Sequence, residues 1–368
     1  MLDSSCTAAQ ILSGDMGAIS QNASSELDIL SGNEVLVTGG GGFLGYLLVN
    51  LLAQVGDNDG RDPIKLTVYE NFSRGRKAWL DKLAMRKNVK VVEHDITKPL
   101  PQDIADFSYI IHAASIASPT YYRINPIETI DANVNGLRYL LDYAKNRADK
   151  SKPISGMLFF STSEIYGDPS PDAIPTAETY RGFVSCTGPR ACYDESKRLG
   201  ETLCVNFAQK YGLPITIARP FNNYGPGLDI NDRRLLPDLA RDIFSKRDIV
   251  LLSDGKATRT FCYVSDAIAG YIKVLIKGRP GESYNIGTET PEISVGEFTS
   301  KVANLGRDLF GYDGKVIYKT SEDKAYLTDN PNRRCPNINK ARNELGYAPK
   351  VTLEDGLSRS LIWYKENQ

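Results

Sequence analysis

The sequence predicts an α/β fold, a doubly wound parallel sheet with a smaller, interleaved C-terminal α/β domain. Three observations predict it. Short apolar runs alternate with helical patterns as far as Pro220. The first of these runs leads directly into a glycine-rich turn and a second apolar stretch. Beyond Pro220 the alternation loosens into short segments and loops.

Taken in order, residues 1–32 form a Ser/Ala/Gly-containing surface extension, helical around Ala8–Leu12. No Lys or Arg precedes Arg61, so the basic start of a secretory signal is missing. Glu34–Thr38 is the first strand. Gly39, Gly42 and Gly45 follow at Gly-x-x-Gly-x-x-Gly spacing, and Phe43 and Leu44 open a helix through Leu52. In a strand–turn–helix context, such glycines let backbone N–H groups and a helix N-terminus take a pyrophosphate. The second strand, Ile64–Tyr69, ends at Glu70 and Asn71. An acid there accepts ribose hydroxyls and repels a 2′-phosphate, so NAD is expected rather than NADP. Arg74, Arg76 and Lys77 stand close by and soften that preference.

Val89–Glu93 is the third strand, with Asp95 and Ile96 behind it, placed for an adenine. Phe107–His112 is the fourth and runs into Ala113, Ala114 and Ser115. One long helix is predicted from about Pro126 to Lys145, and Gly156–Thr162 is the fifth strand. The helix that carries Tyr193 extends to about Tyr211, and Ile215–Arg219 is the sixth strand. The segments beyond it suit a lid over a substrate. The expected organisation is an extension at 1–32 and a Rossmann-type NAD-binding domain at 33–219, with a return segment near 258–290. Segments 220–257 and 291–368 make the second domain.

Tyr193 precedes Lys197 by four residues, which puts both on one helix face, one turn apart. A lysine ammonium beside the phenol predicts a tyrosine acidified below its usual pKa near ~10. Such a phenolate takes a proton from a sugar hydroxyl as hydride leaves the same carbon.

The formal net charge of -1 shows no basic excess for nucleic acid or an anionic membrane. No apolar run approaches the ~20 residues of a membrane span. The six Cys form no close Cys-x-x-Cys pair, which suits reduced thiols in a cytoplasmic protein. With only His94 and His112, neither a histidine-based triad nor a His-rich metal site is expected.

These motifs resemble the extended short-chain dehydrogenase/reductase family, whose members act on nucleotide sugars, and within it the UDP-glucuronate decarboxylases. The resemblance covers about residues 33–366. It rests on Thr38–Gly45, His112–Ser115 with Ala117-Ser118-Pro119, Ser161–Pro169 and Gly188–Lys197, with Asn222, Arg259 and Arg334 matching later motifs. It implies a transient 4-keto sugar, decarboxylation of UDP-glucuronate to UDP-xylose, and a homodimer built on the helix from Pro126 and the Tyr193 helix. Leu137, Leu140 and Leu141 serve either that interface or the core.

Thr162, Ser163, Glu164, Tyr193, Lys197 and Arg259 are then the catalytic candidates. Ser118, Asn222, Arg234, Arg259 and Arg334 are the candidates for substrate binding. A guanidinium fork suits the diphosphate, and Arg259 faces either the phosphates or the sugar carboxylate. The chain departs from the decarboxylase pattern at Ile116, Ser196, Gly227, Arg233 and Asn337. A 4-epimerase or a 4,6-dehydratase of another nucleotide sugar therefore stays open. A dehydratase usually carries an aspartate where this chain has Ser163.

Overall fold

The computed structural model describes residues 6–57, 59–321 and 328–367. Its central sheet holds β1 (Glu34–Thr38), β2 (Lys65–Glu70), β3 (Val89–Glu93), β4 (Tyr109–His112), β5 (Gly156–Phe160), β6 (Ile215–Pro220) and β7 (Ser283–Ile286). The strand order is β7-β6-β5-β4-β1-β2-β3 and every pairing is parallel. Parallel strands are covered on both faces, which is why the central strands are largely apolar, while the edge strand β3 carries exposed Lys90 and Glu93. Val35 and Val37 of β1 face one core and Leu36 faces the other. The strand order reverses between β4 and β1, which opens a crevice at their carboxyl ends.

Helices α1 (Ala8–Asn22) and α2 (Ser24–Leu30) precede the sheet, and α3 (Phe43–Gln54) and α4 (Ala78–Leu83) follow β1 and β2. Between β4 and β5 run α5 (Pro119–Ile124), α6 (Pro126–Ile130) and α7 (Leu137–Asp149), and α8 (Ala191–Tyr211) precedes β6. Helices α9 (Leu235–Phe244) and α10 (Val264–Lys277) separate β6 from β7. The chain ends in α11 (Val295–Phe310), α12 (Asn339–Leu345) and α13 (Leu353–Glu366). Leu137, Leu140 and Leu141 of α7 are fully buried in this chain's own core, against Phe159, Cys204 and Phe207.

The structure corrects three expectations. Residues 8–30 are not a surface extension. Thr7 closes a capping box with Gln10, and Ile19, Ala23, Leu27 and Leu30 are fully buried in the main core. Asp15 accepts hydrogen bonds from Tyr263 (2.6 Å) and Arg359 (2.8 Å), and Glu26 pairs with Lys273 (3.3 Å). The apolar positions are separated by Ser, Gly and charged residues, which hid the buried face. Leu27→Ala is expected to lower stability by about 2–5 kcal/mol, as truncation in a packed core does. Urea unfolding would measure it, and an unchanged midpoint would detach α2 from the core.

The predicted helix from Pro126 to Lys145 is interrupted. A π-helical turn at Asp131–Gly136 joins α6 to α7. Asn133 donates to Ser196 Oγ (2.9 Å), and a Cβ on Gly136 would meet Ile96 Cγ2 at 3.0 Å. These two contacts pin the turn against α8 and the segment after β3. The fifth strand also stops at Phe160. Thr162 instead caps a single 3-10 turn, Ser163–Tyr166, by accepting from Glu164 N (3.2 Å).

Candidate active site

The glycine turn sits at the strand reversal. A Cβ on Gly39, whose φ is +70°, would lie 2.4 Å from Ala114 Cα. One on Gly45 would lie 2.2 Å from Gly40 O. Both positions therefore exclude any side chain, so the turn packs directly on the Ala113–Ala114 backbone and on the first turn of α3. Ala113 N donates to Thr38 O (3.1 Å). Glu70 reaches back and accepts from Gly41 N (2.8 Å), Asn71 N (3.1 Å) and Phe72 N (3.2 Å). Ile96 is buried, and Asp95 accepts from Thr97 N (3.0 Å). Gly42, Phe43 and Leu44 open α3.

The hydroxyls of Ser115 and Ser161 are buried and unpartnered. Bare backbone, an acid at the end of β2 and orphaned hydroxyls fit a dinucleotide laid across the crevice. Gly39, Gly42, Phe43, Leu44 and Gly45 would hold its pyrophosphate, and Glu70 its ribose.

Tyr193 and Lys197 lie on α8, both buried. The Tyr193 hydroxyl is hydrogen-bonded to Thr162. Lys197 Nζ donates to Phe160 O (2.7 Å) and lies 5.9 Å from the Tyr193 ring centroid. The expected acidification of Tyr193 does not appear in this structure. Burial pushes its phenol up to about 12 and the Lys197 ammonium down to about 7. Loss of water penalises a charge on either group more than their proximity favours one. Tyr122 stacks on Tyr193, with ring centroids 5.1 Å apart.

The buried lysine should cost stability. Its pKa is lower folded, about 7, than its usual 10.5. The folded state therefore disfavours its proton, and the destabilisation is full below about pH 7 and fades towards pH 10.5. Lys197→Met is expected to melt several degrees above the parent at pH 6 and much closer to it at pH 10. Melting curves at the two pH values would check it, and an equal gain at both would remove the ionic explanation.

Glu164 projects from the Ser163–Tyr166 turn into a ring of arginines. Arg190 and Arg334 both pair with it, and the positive field of Arg259 adds to theirs. Burial works against the carboxylate, but these guanidinium groups hold it ionised, down at about 2. Arg259 and Arg334 are register partners on the paired short strands Thr258–Arg259 and Arg333–Arg334. Arg259 donates to Thr258 O (2.7 Å), Asn332 O (3.2 Å) and Pro331 O, and burial lowers it to about 9. Asp194 lies 3.6 Å from Arg190 Nε, and burial together with the Glu164 charge raises it to about 7. Three polar atoms of this group are buried and unpartnered: Arg334 Nε, Asp194 Oδ1 and the Tyr122 hydroxyl.

The structure thus gathers Thr162, Ser163, Glu164, Tyr193, Arg259 and Arg334 into one cluster, with Lys197 next to Tyr193 on α8. Arg334, expected at the diphosphate, is engaged by Glu164. Arg234 stands apart from the ring: its Nε pairs with Asp232 (2.7 Å), and its guanidinium lies 6.0 Å over the Phe43 ring. Ser118 Oγ donates to Asp232 O (2.8 Å), and Asn222 donates to Thr260 O (3.0 Å). Both side chains therefore hold loops in this state.

The sequence reading passed over Arg190, Asp194 and Tyr122. The signal for the first two was present, since Arg190 and Asp194 sit one turn apart at the start of the Tyr193 helix. Nothing in the sequence brings Tyr122 to Tyr193.

Among the described residues no group of His, Cys, Asp or Glu could hold a metal ion, and no helix is long and apolar enough to cross a membrane. All six cysteines are unpaired.

Residues 35–287 match the NAD dependent epimerase/dehydratase family, and the chain belongs to it. It is 36% identical over 328 residues to UDP-glucuronic acid decarboxylase 6 of Arabidopsis thaliana, covering 89% of this chain and 87% of that protein. It is 34% identical over 332 residues to UDP-glucuronic acid decarboxylase 1 of Xenopus tropicalis, covering 90% of this chain and 72% of that protein. The dTDP-glucose 4,6-dehydratase of Bacillus anthracis, solved in complex with NAD, superposes with a TM-score of 0.75 at 26% identity over 91% of this chain and 97% of that one. The cofactor is NAD, which the family match shows and the glycine cradle and Glu70 fit.

Proposed function

We propose that this protein decarboxylates UDP-glucuronate to UDP-xylose through a transient 4-keto sugar, with NAD regenerated in each cycle. One observation carries the reading: the ring of Arg190, Arg259 and Arg334 around Glu164, with Ser163 beside it instead of a second acid. Three guanidinium groups face two carboxyls, Glu164 and Asp194, and Asp194 is only partly ionised near pH 7, so at least one positive charge is left over for a substrate carboxylate. Asp168, the next acid out, is exposed and already accepts from Asn332 (2.9 Å). The relatives named decarboxylases support the same choice.

NAD, held by Gly39, Gly42, Gly45 and Glu70, would supply the hydride acceptor and donor. Everything else falls to the chain. Thr162 and Tyr193 bind the sugar 4-oxygen, and Tyr193 takes its proton. Lys197 orients the ribose side of the site. Once the 4-ketone stands β to the carboxylate, carbon dioxide leaves, the Tyr193 hydroxyl stabilises the resulting enolate oxygen, and protonation at C5 restores the 4-ketone before hydride and the Tyr193 proton return to C4 and its oxygen. Arg234 and Asn222 take the diphosphate when the loops that now occupy them are released, and Ser118 follows Asp232. Segments 33–219 and 258–290 form the NAD-binding domain, and 220–257 with 291–368 the nucleotide-sugar domain. Six free thiols suit a reducing, cytoplasmic setting.

Incubation with UDP-glucuronate, with products read by mass spectrometry, tests the assignment. UDP-xylose and carbon dioxide are expected without added oxidant. Inert UDP-glucuronate beside an epimerised or dehydrated neutral nucleotide hexose would overturn it.

The protein is also proposed to be a homodimer through α5, α6 and α8. Ile124 (68% exposed), Ile127 (63%) and Leu199 (47%) offer the apolar surface there, since the leucines of α7 are spent in the core. Light scattering should give twice the chain mass at micromolar concentration, and Ile127→Glu should shift it towards monomer.

A further inference from the structure

Behind the arginine ring lies a second polar cluster that faces no crevice. Arg219, the next-to-last residue of β6, is only 8% exposed. Its Nε and Nη2 donate to the two carboxylate oxygens of Glu201 (2.8 and 2.6 Å), and its Nη1 donates to the Tyr166 hydroxyl (2.7 Å) and Glu178 O (2.9 Å). The Tyr166 hydroxyl in turn donates to Asn285 Oδ1 (2.7 Å). Asn285 Nδ2 donates to Thr176 O (2.9 Å) and Asn337 O (3.0 Å).

Each end of this chain of bonds is an element that carries an active-site group. Glu201 lies one helical turn beyond Lys197 on α8, Tyr166 closes the turn that bears Glu164, and Asn337 lies three residues beyond Arg334. Every polar side-chain atom of Arg219, Tyr166 and Asn285 has a partner, whereas the ring around Glu164 leaves Arg334 Nε and Asp194 Oδ1 free. A closed network binds no ligand; an open one does. Nor is stability a sufficient reason to bury Arg219 and Glu201, since apolar replacements of buried ion pairs are often neutral or stabilising.

We propose that Arg219 is a positioning residue that sets the register between three segments: the Tyr193/Lys197 helix, the Glu164 turn and the Arg334 strand. It reaches no reacting atom, and it acts through Glu201 and Tyr166 on where Glu164 meets its arginines.

The test is a double-mutant cycle, Arg219→Lys with Glu164→Gln, in single-turnover rates of the NAD-loaded full chain. Lysine keeps the charge opposite Glu201 but cannot make the forked contact and reach Tyr166 together. The single replacement is expected to slow turnover roughly 10- to 100-fold, the scale of a misplaced group. Bound NAD should be unchanged. In the Glu164→Gln background the same replacement should cost less than about 3-fold, because contacting networks are non-additive. Equal losses in both backgrounds would overturn the proposal and leave Arg219 a purely structural residue. Tyr166→Phe removes one hydroxyl while keeping the ring, and should repeat the non-additivity at smaller size if Arg219→Lys fails to fold. The cycle is run on whichever nucleotide sugar the parent turns over, so it stands or falls separately from the choice of UDP-glucuronate.

Discussion

Tyr193→Phe should lower kcat by at least ~10² to 10⁴, the usual worth of a positioned proton acceptor. The ring would keep its stack on Tyr122 and its buried place on α8, so folding should be unaffected. What disappears is the hydroxyl bonded to Thr162. The size of the loss is informative because burial holds this phenol up at about 12, against the ionisation that a proton acceptor needs. Turnover therefore requires that its pKa be brought down, and the protein groups available for that are Thr162 and Lys197. The measurement is steady-state turnover with circular dichroism as the folding control. Near-parental turnover in Tyr193→Phe would remove Tyr193 from the chemistry.

Ser163→Asp should be nearly as damaging, by a different route. Ser163 is 3% exposed and starts the turn that bears Glu164. A carboxylate there would take up the positive charge that the arginine ring holds in excess. It would also stand close to the carboxylate of the incoming sugar. Two like charges at ~4 Å repel by about 4 kcal/mol at an effective dielectric near 20. By transition-state arithmetic that corresponds to a fall in kcat/KM of order 10² to 10³ for UDP-glucuronate. Binding of UDP alone should change little, since it brings no sugar carboxylate. Competition binding with UDP, beside kcat/KM for UDP-glucuronate, separates the two effects. An equal loss of both would mean that position 163 disturbs the whole site rather than charge selection.

The dinucleotide half of the site was legible in the sequence because its requirements are local. A strand, three glycines, a helix start and an acid one strand later are all set by backbone geometry over short spans, and the structure places Gly39, Gly45 and Glu70 in contact with their neighbours accordingly. Tyr193 and Lys197 were legible for the same reason, since a four-residue spacing on one helix decides which face they share. The six predicted strands also lie where alternation put them, the fifth ending two residues early, because buried strands of a parallel sheet read as short apolar runs.

Position in sequence said little about charge, and there tertiary structure decided. Arg334 lies 170 residues from Glu164, and only the register of two short strands brings it there beside Arg259. The same holds for burial. The phenol of Tyr193 is harder to ionise, not easier, because the core around α8 removes the water that its four-residue spacing to Lys197 leaves out of account. Residues 8–30 show the converse: a weakly patterned segment becomes core once α10 and α13 supply partners for Asp15 and Glu26. Local geometry therefore determined from sequence alone that the protein holds a dinucleotide and a Tyr/Lys pair. Desolvation and long-range pairing, which depend on the folded surroundings, decided which arginines meet Glu164 and what charge each site group carries.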